Sequence, residues 1–292
     1  MAADSRQAPR PSRMRAIPAR AAPPRRPGRN GRPQMNAAAT STPYGREFYL
    51  DQQDGSLRSA AAVVPHILES FHPGSVVDVG CGVGTWLSVV RQAGVQDVLG
   101  LDGDYVDRSL LKIPPADFLS ADLRQPLPVV RGFDLAMCLE VAEHLPEAAG
   151  AALVRQLTAL APVVVFSAAI PGQAGTDHIN EQWQDYWRAR FAAEGFAAYD
   201  VIRPRIWNDD RVDFWYRQNL VCYVRAGHPV AAGLTPVAEG ASLNFVHPAL
   251  FQRALEQADM FLSRAVSMLP RLAAKAMKRR LPGARAPDRE TG

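Results

Sequence analysis

One segment in the first third of the chain constrains the fold most: an apolar run that leads into three evenly spaced glycines. Residues 76–79 resemble a buried strand, Gly80, Gly82 and Gly84 follow at two-residue intervals, and residues 85–93 fit a helix. Glycine lets the backbone turn sharply and approach a ligand closely, and the amino end of a helix favours a negative group. The segment therefore predicts a strand–turn–helix unit that binds a nucleoside bearing a carboxylate or phosphate.

Apolar runs and amphipathic segments alternate along most of the chain. Seven runs have the length and composition of strands: 75–79, 98–101, 117–119, 133–138, 163–166, 196–202 and 219–224. Segments that fit helices lie at 57–71, 85–93, 147–160, 181–194 and 248–269. The alternation predicts an α/β fold, a Rossmann-like seven-stranded, mostly parallel sheet with helices on both faces, an N-terminal helix and a C-terminal helical extension. Pro270 is expected to end the last helix, which we expect to pack on the domain.

Two acidic residues extend the glycine motif toward a nucleoside. Asp102 ends the second strand, twenty residues after Gly82, where a carboxylate can accept hydrogen bonds from ribose hydroxyls. The glycine spacing is G-x-G-x-G rather than the G-x-G-x-x-G of dinucleotide-binding proteins, and Asp78 stands two residues before the first glycine. Asp122 follows the third strand, where it can accept a bond from an adenine amino group. These features disfavour an NAD-dependent oxidoreductase.

This set of residues resembles class I S-adenosylmethionine-dependent methyltransferases over about 75–225. The resemblance implies S-adenosylmethionine as cofactor, with Gly80 and Gly82 under its methionine part and Asp102 on its ribose. It also implies that Asp122 and Leu123 hold the adenine and that Leu139 lines the adenosyl side. The implied cofactor-binding residues are Asp78, Gly80, Gly82, Gly84, Asp102, Asp122, Leu123 and Leu139.

The fourth strand leads into Glu140, Glu143 and His144, whose spacing would place all three on one face of a helical turn. The segment is similar to the E-V-x-E-H segment of ubiquinone-type O-methyltransferases. Three interpretations stay open: the trio binds Mg²⁺, His144 acts as a general base, or the residues only cap and pack a helix. His178, in the loop after the fifth strand, either faces His144 across the acceptor pocket or caps the next helix. The loop 203–217 supplies Arg203, Arg205 and aromatic residues for a sugar, an aromatic ring or an anionic group, or merely anchors itself.

Charge is distributed unevenly over the 292 residues, whose formal net charge is +4. Residues 1–35 hold nine arginines against one acid, residues 271–292 hold seven Lys/Arg against two acids, and residues 36–270 hold 17 basic against 26 acidic residues. An acidic body does not predict a nucleic-acid partner. The basic amphipathic segment 271–281 is either a solvated helix end or a candidate for contact with an anionic membrane surface.

These observations predict five regions. They are a disordered, basic, Pro-rich tail (1–36, with Met35 as an alternative start), an N-terminal helical cap (37–74), a methyltransferase domain (75–225), a loop and helix (226–270) and a basic tail (271–292). Three widely spaced cysteines and the lack of an apolar signal segment predict a cytoplasmic protein.

The expected function is transfer of a methyl group to a small-molecule or saccharide acceptor, at oxygen. The alternatives are the oxidoreductase and a non-catalytic adaptor on a methyltransferase scaffold. The oligomeric state is left open.

Overall fold

A computed structural model describes residues 46–280, with side chains described for residues 55–272 except 265 and 271. The predicted tail at 1–36 and the end of the basic tail, 281–292, lie outside the described residues. The predicted seven-stranded sheet is present. Its strands are β1 (Ser75–Val79), β2 (Asp97–Asp102), β3 (Phe118–Ser120), β4 (Leu135–Leu139), β5 (Val163–Ser167), β6 (Phe196–Tyr199) and β7 (Val221–Arg225).

The strands are ordered β3-β2-β1-β4-β5-β7-β6. All neighbouring pairs are parallel except those of β7, which runs antiparallel to β5 and to β6. The chain starts in the middle of the sheet, moves outward through β2 and β3, and returns to β4 beside β1. The order therefore reverses between β1 and β4, and the carboxyl ends of these strands open a crevice where ligands bind in such sheets.

Seven α-helices connect or flank the strands over the described range. They are α1 (Arg46–Phe71), α2 (Thr85–Gln92), α3 (Glu147–Leu160), α4 (Gln184–Ala193), α5 (Arg203–Ile206), α6 (Phe214–Asn219) and α7 (Pro248–Arg280). α3 has the bounds that its amphipathic pattern predicted. α1 begins eleven residues earlier than predicted and continues through Pro65.

Apolar side chains cover both faces of the sheet, because successive strand residues point to opposite sides. Val76 and Met137 pack with residues of α1 and α2, whereas Val77 and Ala136 pack in a second cluster with residues of α3 and α4. A parallel sheet buried on both sides explains why its central strands are continuously apolar. The predicted fold class is confirmed.

The prediction for the C-terminal helix is wrong in two respects. α7 does not end at Pro270 but continues through it to Arg280. Proline removes one backbone hydrogen bond, yet that loss kinks or weakens a helix without necessarily ending it. Beyond its first turn, where Leu250 is buried, the helix is also not packed on the domain, since its large apolar side chains are exposed from Phe251 to Leu272. None of the helices in the described range combines the length and apolar character needed to cross a bilayer.

Candidate active site

The glycine turn joins β1 to α2 and adopts the backbone conformation that its sequence predicts. Gly80, Gly82 and Gly84 all have positive φ angles, 85°, 55° and 79°. A Cβ atom at Gly80 would overlap the side chain of Val141, so only glycine fits there. The turn therefore leaves backbone, not side chains, on the floor of the crevice.

Asp102, at the end of β2, is buried and tied to this turn. Its Oδ2 accepts the Gly82 N–H at 2.6 Å. Its Oδ1 accepts the Gly103 N–H at 2.6 Å and the Tyr105 hydroxyl at 2.5 Å. Burial raises the pKa of Asp102, while these three donors lower it. The carboxylate is thus fixed in the crevice, in a position that suits a ribose diol.

Asp78 lies deeper, inside β1, and its side chain also lines the crevice. Burial raises the pKa of Asp78 to about 8, and repulsion from Asp102 adds to the effect. The group is therefore largely protonated at neutral pH until a positive charge arrives beside it.

The remaining residues expected around an adenine line the same cavity: Asp122, Leu123 and Leu139. The Asp122 carboxylate is held by Arg124, whose Nε donates to Oδ1 at 2.8 Å and whose second nitrogen donates to Oδ2 at 2.9 Å. Those hydrogen bonds lower the pKa of Asp122. Asp122 therefore stays ionised at the edge of the cavity. Its ion pair with Arg124 was not predicted from the sequence.

Residues 140–144 do not form the single helical turn that the spacing predicted. Glu140 has a φ of 55°, and only 142–144 form a short 3-10 turn. The Glu140 N–H donates to the Ser167 carbonyl at 2.9 Å, which keeps it at the end of β4. Its buried carboxylate accepts Gln173 Nε2 at 3.0 Å and Asn219 Nδ2 at 3.1 Å. Glu140 is thereby held by the two amides.

The structure gathers Glu143 and His144 with His178 instead. One carboxylate oxygen of Glu143 and one ring nitrogen of each histidine lie within 4.8 Å of one another. The two imidazole rings meet edge to face, with centroids 4.9 Å apart. His178 thus faces His144, as one of its two sequence interpretations expected.

Glu143 is the polar group of this cluster that lacks hydrogen-bond partners most clearly. It is fully buried, and neither carboxylate oxygen has a hydrogen-bond partner among the described residues. Burial raises its pKa well above the ordinary range, and the neighbouring Glu140 raises it further. The backbone N–H groups of Glu143 and Ala169 act against this rise. A buried carboxylate beside a second one, with no hydrogen bond of ordinary geometry, fits either a shared proton or a bound cation.

His178 is positioned by its own loop. Its Nδ1 lies 3.0 Å from Glu181 Oε1, whose carboxylate also accepts the backbone N–H groups of Gly172 and Ala174. A Cβ atom at Gly175 would overlap the His178 ring. The loop therefore fixes the position of the imidazole through the hydrogen bond to Glu181 and the close packing of Gly175.

These groups open into one cavity of about 1340 Å³, whose lining includes the glycine turn and Asp102 as well as Glu143 and the two histidines. A single small ligand usually occupies roughly 300–1,000 Å³, so this cavity has room for two reactants.

The segment 203–217, which the sequence predicted to be a loop, contains the short helices α5 and α6 and contributes only part of the expected ligand group. Trp215 and Tyr216 line the cavity. The prediction that Arg203 contacts a ligand is wrong. Its side chain is 2% exposed and forms an ion pair with Asp200 at 2.6 Å. Arg205 pairs with Glu69 on α1 at 2.7 Å. These two arginines therefore tie the loop to the domain.

Comparison with known protein families decides the class of this chain. Residues 10–202 match a family model described as a methyltransferase domain. The chain belongs to this family. Its membership confirms the class predicted from the glycine and aspartate motif, a class I S-adenosylmethionine-dependent methyltransferase. A search of curated proteins returns no match.

Solved structures similar to this methyltransferase have low sequence identity to it. Magnesium protoporphyrin IX methyltransferase from Synechocystis PCC 6803 is 22% identical, with 63% of this chain and 88% of that chain covered and a TM-score of 0.45. An amino pentose methyltransferase from Micromonospora echinaspora is 18% identical, with 66% and 100% covered and a TM-score of 0.47. A sugar N-methyltransferase from a Streptoalloteichus species is 19% identical, with 66% and 99% covered and a TM-score of 0.47.

Sequence reasoning missed three residues that shape the methyltransferase site. Tyr105 bonds Asp102, while Gln173 and Asn219 bond Glu140. Tyr105 carried a usable signal, since it lies only three residues after Asp102. Asn219 carried none, because its contact with Glu140 spans 79 residues of sequence.

Proposed function

We propose that this enzyme transfers the methyl group of S-adenosylmethionine to an oxygen atom of a small-molecule or glycan-type acceptor. The observation that carries the proposal is the single cavity in which a nucleoside cradle faces a histidine–carboxylate cluster. The cradle suits the donor, and the cluster suits a hydroxyl acceptor. Three widely spaced cysteines in the sequence are in keeping with a cytoplasmic reaction.

The chain's residues fit the cofactor. S-adenosylmethionine, when bound, supplies an electrophilic methyl group on a positively charged sulfur. Asp102 would hold the ribose, the turn at Gly80, Gly82 and Gly84 would accommodate the methionine part, and Leu123, Leu139 and Asp122 would surround the adenine. Asp78 would ionise beside the positive charge of the ligand, because an adjacent cation lowers a carboxyl pKa.

His144 is the residue that we assign to proton removal. Burial and the neighbouring His178 lower the pKa of His144, so its imidazole is neutral at pH 7 and able to accept a proton. Glu181 fixes the orientation of the His178 ring. The pair would orient the acceptor hydroxyl and take its proton as the new bond to carbon forms. Most of the rate would come from holding the two reactants together.

Glu143, His144 and His178 also fit a divalent cation, which would lower the pKa of the acceptor hydroxyl and orient it. The unpartnered, buried carboxylate of Glu143 supports this fit. Glu140, which the sequence analysis included with the Mg²⁺ ligands, is replaced in this set by His178. Two imidazoles and one carboxylate suit Mn²⁺, Fe²⁺ or Zn²⁺ better than Mg²⁺, which prefers oxygen ligands.

The cofactor half of the proposal is tested by titration calorimetry with S-adenosylhomocysteine. Asp102→Ala should abolish or strongly weaken binding. Asp97→Ala, at the opposite end of the same strand and outside the cavity, should leave it unchanged. Equal binding by all three proteins, absence of binding by the wild type, or tight binding of NADH instead would contradict the proposal.

The acceptor half requires labelled S-adenosylmethionine and a fractionated host extract. Label should transfer to a small or saccharide product through a bond that has the stability of an ether or ester. Chelator treatment followed by Mn²⁺ or Mg²⁺ then separates the two roles of the cluster. Loss of activity that only Mn²⁺ restores supports the metal, and activity indifferent to the chelator supports His144 acting alone. Glu143→Gln should abolish metal rescue, whereas the exposed Glu147→Gln should not.

A further inference from the structure

The C-terminal helix α7 presents a long apolar face that nothing in the described part of the chain covers. Its exposed side chains include Phe251 at 60%, Phe261 at 75%, Leu262 at 60% and Val266 at 61%. At 100° per residue, Phe251, Leu255, Leu262, Val266 and Leu269 fall within a 60° arc of one face. A face of this kind in water is unusual unless it binds something.

The apolar face is wider than a coiled-coil seam. Beside the central row, Ala254, Phe261, Met268 and Leu272 extend the apolar surface on one flank. In a two-stranded coiled coil, the flanking positions carry paired charges that choose the partner. Pro270, inside the helix, also interrupts the regular ladder that such a coil needs. The pattern therefore favours a broad apolar environment, such as the interior of a membrane, over a second helix as the partner of this face.

Most charged residues of the same helix are positive. The range 248–280 contains seven Lys/Arg residues and only two acids, Glu256 and Asp259. Arg253 and Arg264 lie on the side of the helix opposite the apolar row. A wide apolar face with phenylalanines and a cationic polar side is the composition of a helix that lies in the plane of a membrane interface.

We propose that α7 binds the surface of an anionic membrane, with its apolar face inserted between the lipids and its cationic side against their headgroups. This extends the contact expected for 271–281 to the whole helix and places its anchor in the apolar residues 251–272. Arg253, in the second turn of α7, lines the active-site cavity. Membrane binding would therefore bring the cavity rim to the lipid surface.

Two double variants of the full-length protein test this placement. Leu262→Glu with Val266→Glu puts two carboxylates on the apolar face. Ser263→Glu with Ser267→Glu adds the same charges, at the same spacing, one residue further along and therefore on the polar side. All four positions are exposed, so neither pair disturbs the core. Retained binding of S-adenosylhomocysteine in both proteins confirms that they are folded.

The measurement is co-sedimentation with vesicles of phosphatidylcholine alone or of phosphatidylcholine and phosphatidylglycerol at 3:1. The wild type should bind the anionic vesicles, bind neutral vesicles far less, and bind less at high salt. The polar-side variant should lose only the electrostatic part of the binding, roughly fivefold for each added negative charge. The apolar-face variant should lose on the order of a hundredfold in partitioning, roughly tenfold for each apolar side chain no longer inserted.

Three results would overturn the proposal. The wild type could fail to bind anionic vesicles. The two double variants could bind equally, which would reduce the contact to charge alone. Light scattering coupled to gel filtration could instead show a wild-type oligomer that only the apolar-face variant loses, with no vesicle binding, in which case a second copy of the chain covers the face.

Discussion

The carboxylate of Asp102 offers the sharpest test of how this enzyme accepts its cofactor. A carboxylate has about four acceptor positions. Three are filled by the N–H groups of Gly82 and Gly103 and by the hydroxyl of Tyr105. A ribose diol that donates both hydroxyls needs two positions, and only one is open. One existing donor must therefore leave when the ribose binds.

Tyr105 is the donor that is able to leave. The two amides belong to the glycine turn and to the end of β2, so their withdrawal would disrupt the sheet edge. The Tyr105 side chain is 43% exposed and can rotate toward solvent. The Tyr105 ring occupies the space that a Cβ atom of residue 103 would fill. Glycine at position 103 therefore allows the ring to lie against Asp102. The hydroxyl of Tyr105 thus substitutes for a ribose hydroxyl in the free protein.

Tyr105→Phe should therefore tighten binding of S-adenosylhomocysteine. The net value of one hydrogen bond over its replacement by water is about 1 kcal/mol, which corresponds to about a fivefold lower Kd. Titration calorimetry measures the change directly. Tyr186→Phe is the matched control, since the Tyr186 hydroxyl also contacts a carboxylate, that of Glu147, outside the cavity. It should leave the Kd unchanged.

Two outcomes would refute this reasoning. An unchanged Kd for Tyr105→Phe would show that the tyrosine and the ribose do not compete for Asp102. A higher Kd, which means weaker binding, would show that the hydroxyl of Tyr105 stays in place and binds the ligand itself. Thermal unfolding of the variant without ligand separates either result from a loss of folding.

Three further changes have defined outcomes. Because the folded pKa of Asp78 is about 8 against an ordinary 3.8, this group should make the stability of the free protein fall as pH rises from about 4 to 8. Asp102 and Glu143, whose pKa values are also raised, add to the same slope, so Asp78→Asn should reduce the slope in urea titrations at several pH values without removing it. The same variant should lose the rise in S-adenosylmethionine affinity expected toward pH 8, and an unaltered pH profile would contradict the assignment. Gly80→Ala should abolish cofactor binding and destabilise the fold by more than 1 kcal/mol, because its φ of 85° and the Val141 side chain both exclude a Cβ; calorimetry and urea unfolding check this. Gly175→Ala should displace His178, lowering kcat at least about tenfold with cofactor Kd unchanged; a wild-type kcat would show that His178 plays no part in catalysis.

The sequence determined the features that depend on neighbours along the chain. The turn from Gly80 to Gly84 and the end of β2 at Asp102 form one local strand–turn–helix–strand unit, so a pattern of glycines and apolar residues was enough to predict it. The bounds of α3 and the order of the seven strands along the chain followed for the same reason, whereas the short helices α5 and α6 were not predicted. Periodic burial within a single element is visible in a single segment of sequence.

The tertiary structure decided which distant side chains share the site. His178 completes a cluster with Glu143 and His144, and Glu140 is held by amides, because the ends of β4, β5 and β7 lie side by side in the sheet. That arrangement brings Asn219 to Glu140 and His178 to Glu143. It also decided that α7 leaves the domain, although the apolar pattern of α7 resembles that of a packed helix. Periodicity shows that a face must be buried, and only the positions of the other elements show what buries it.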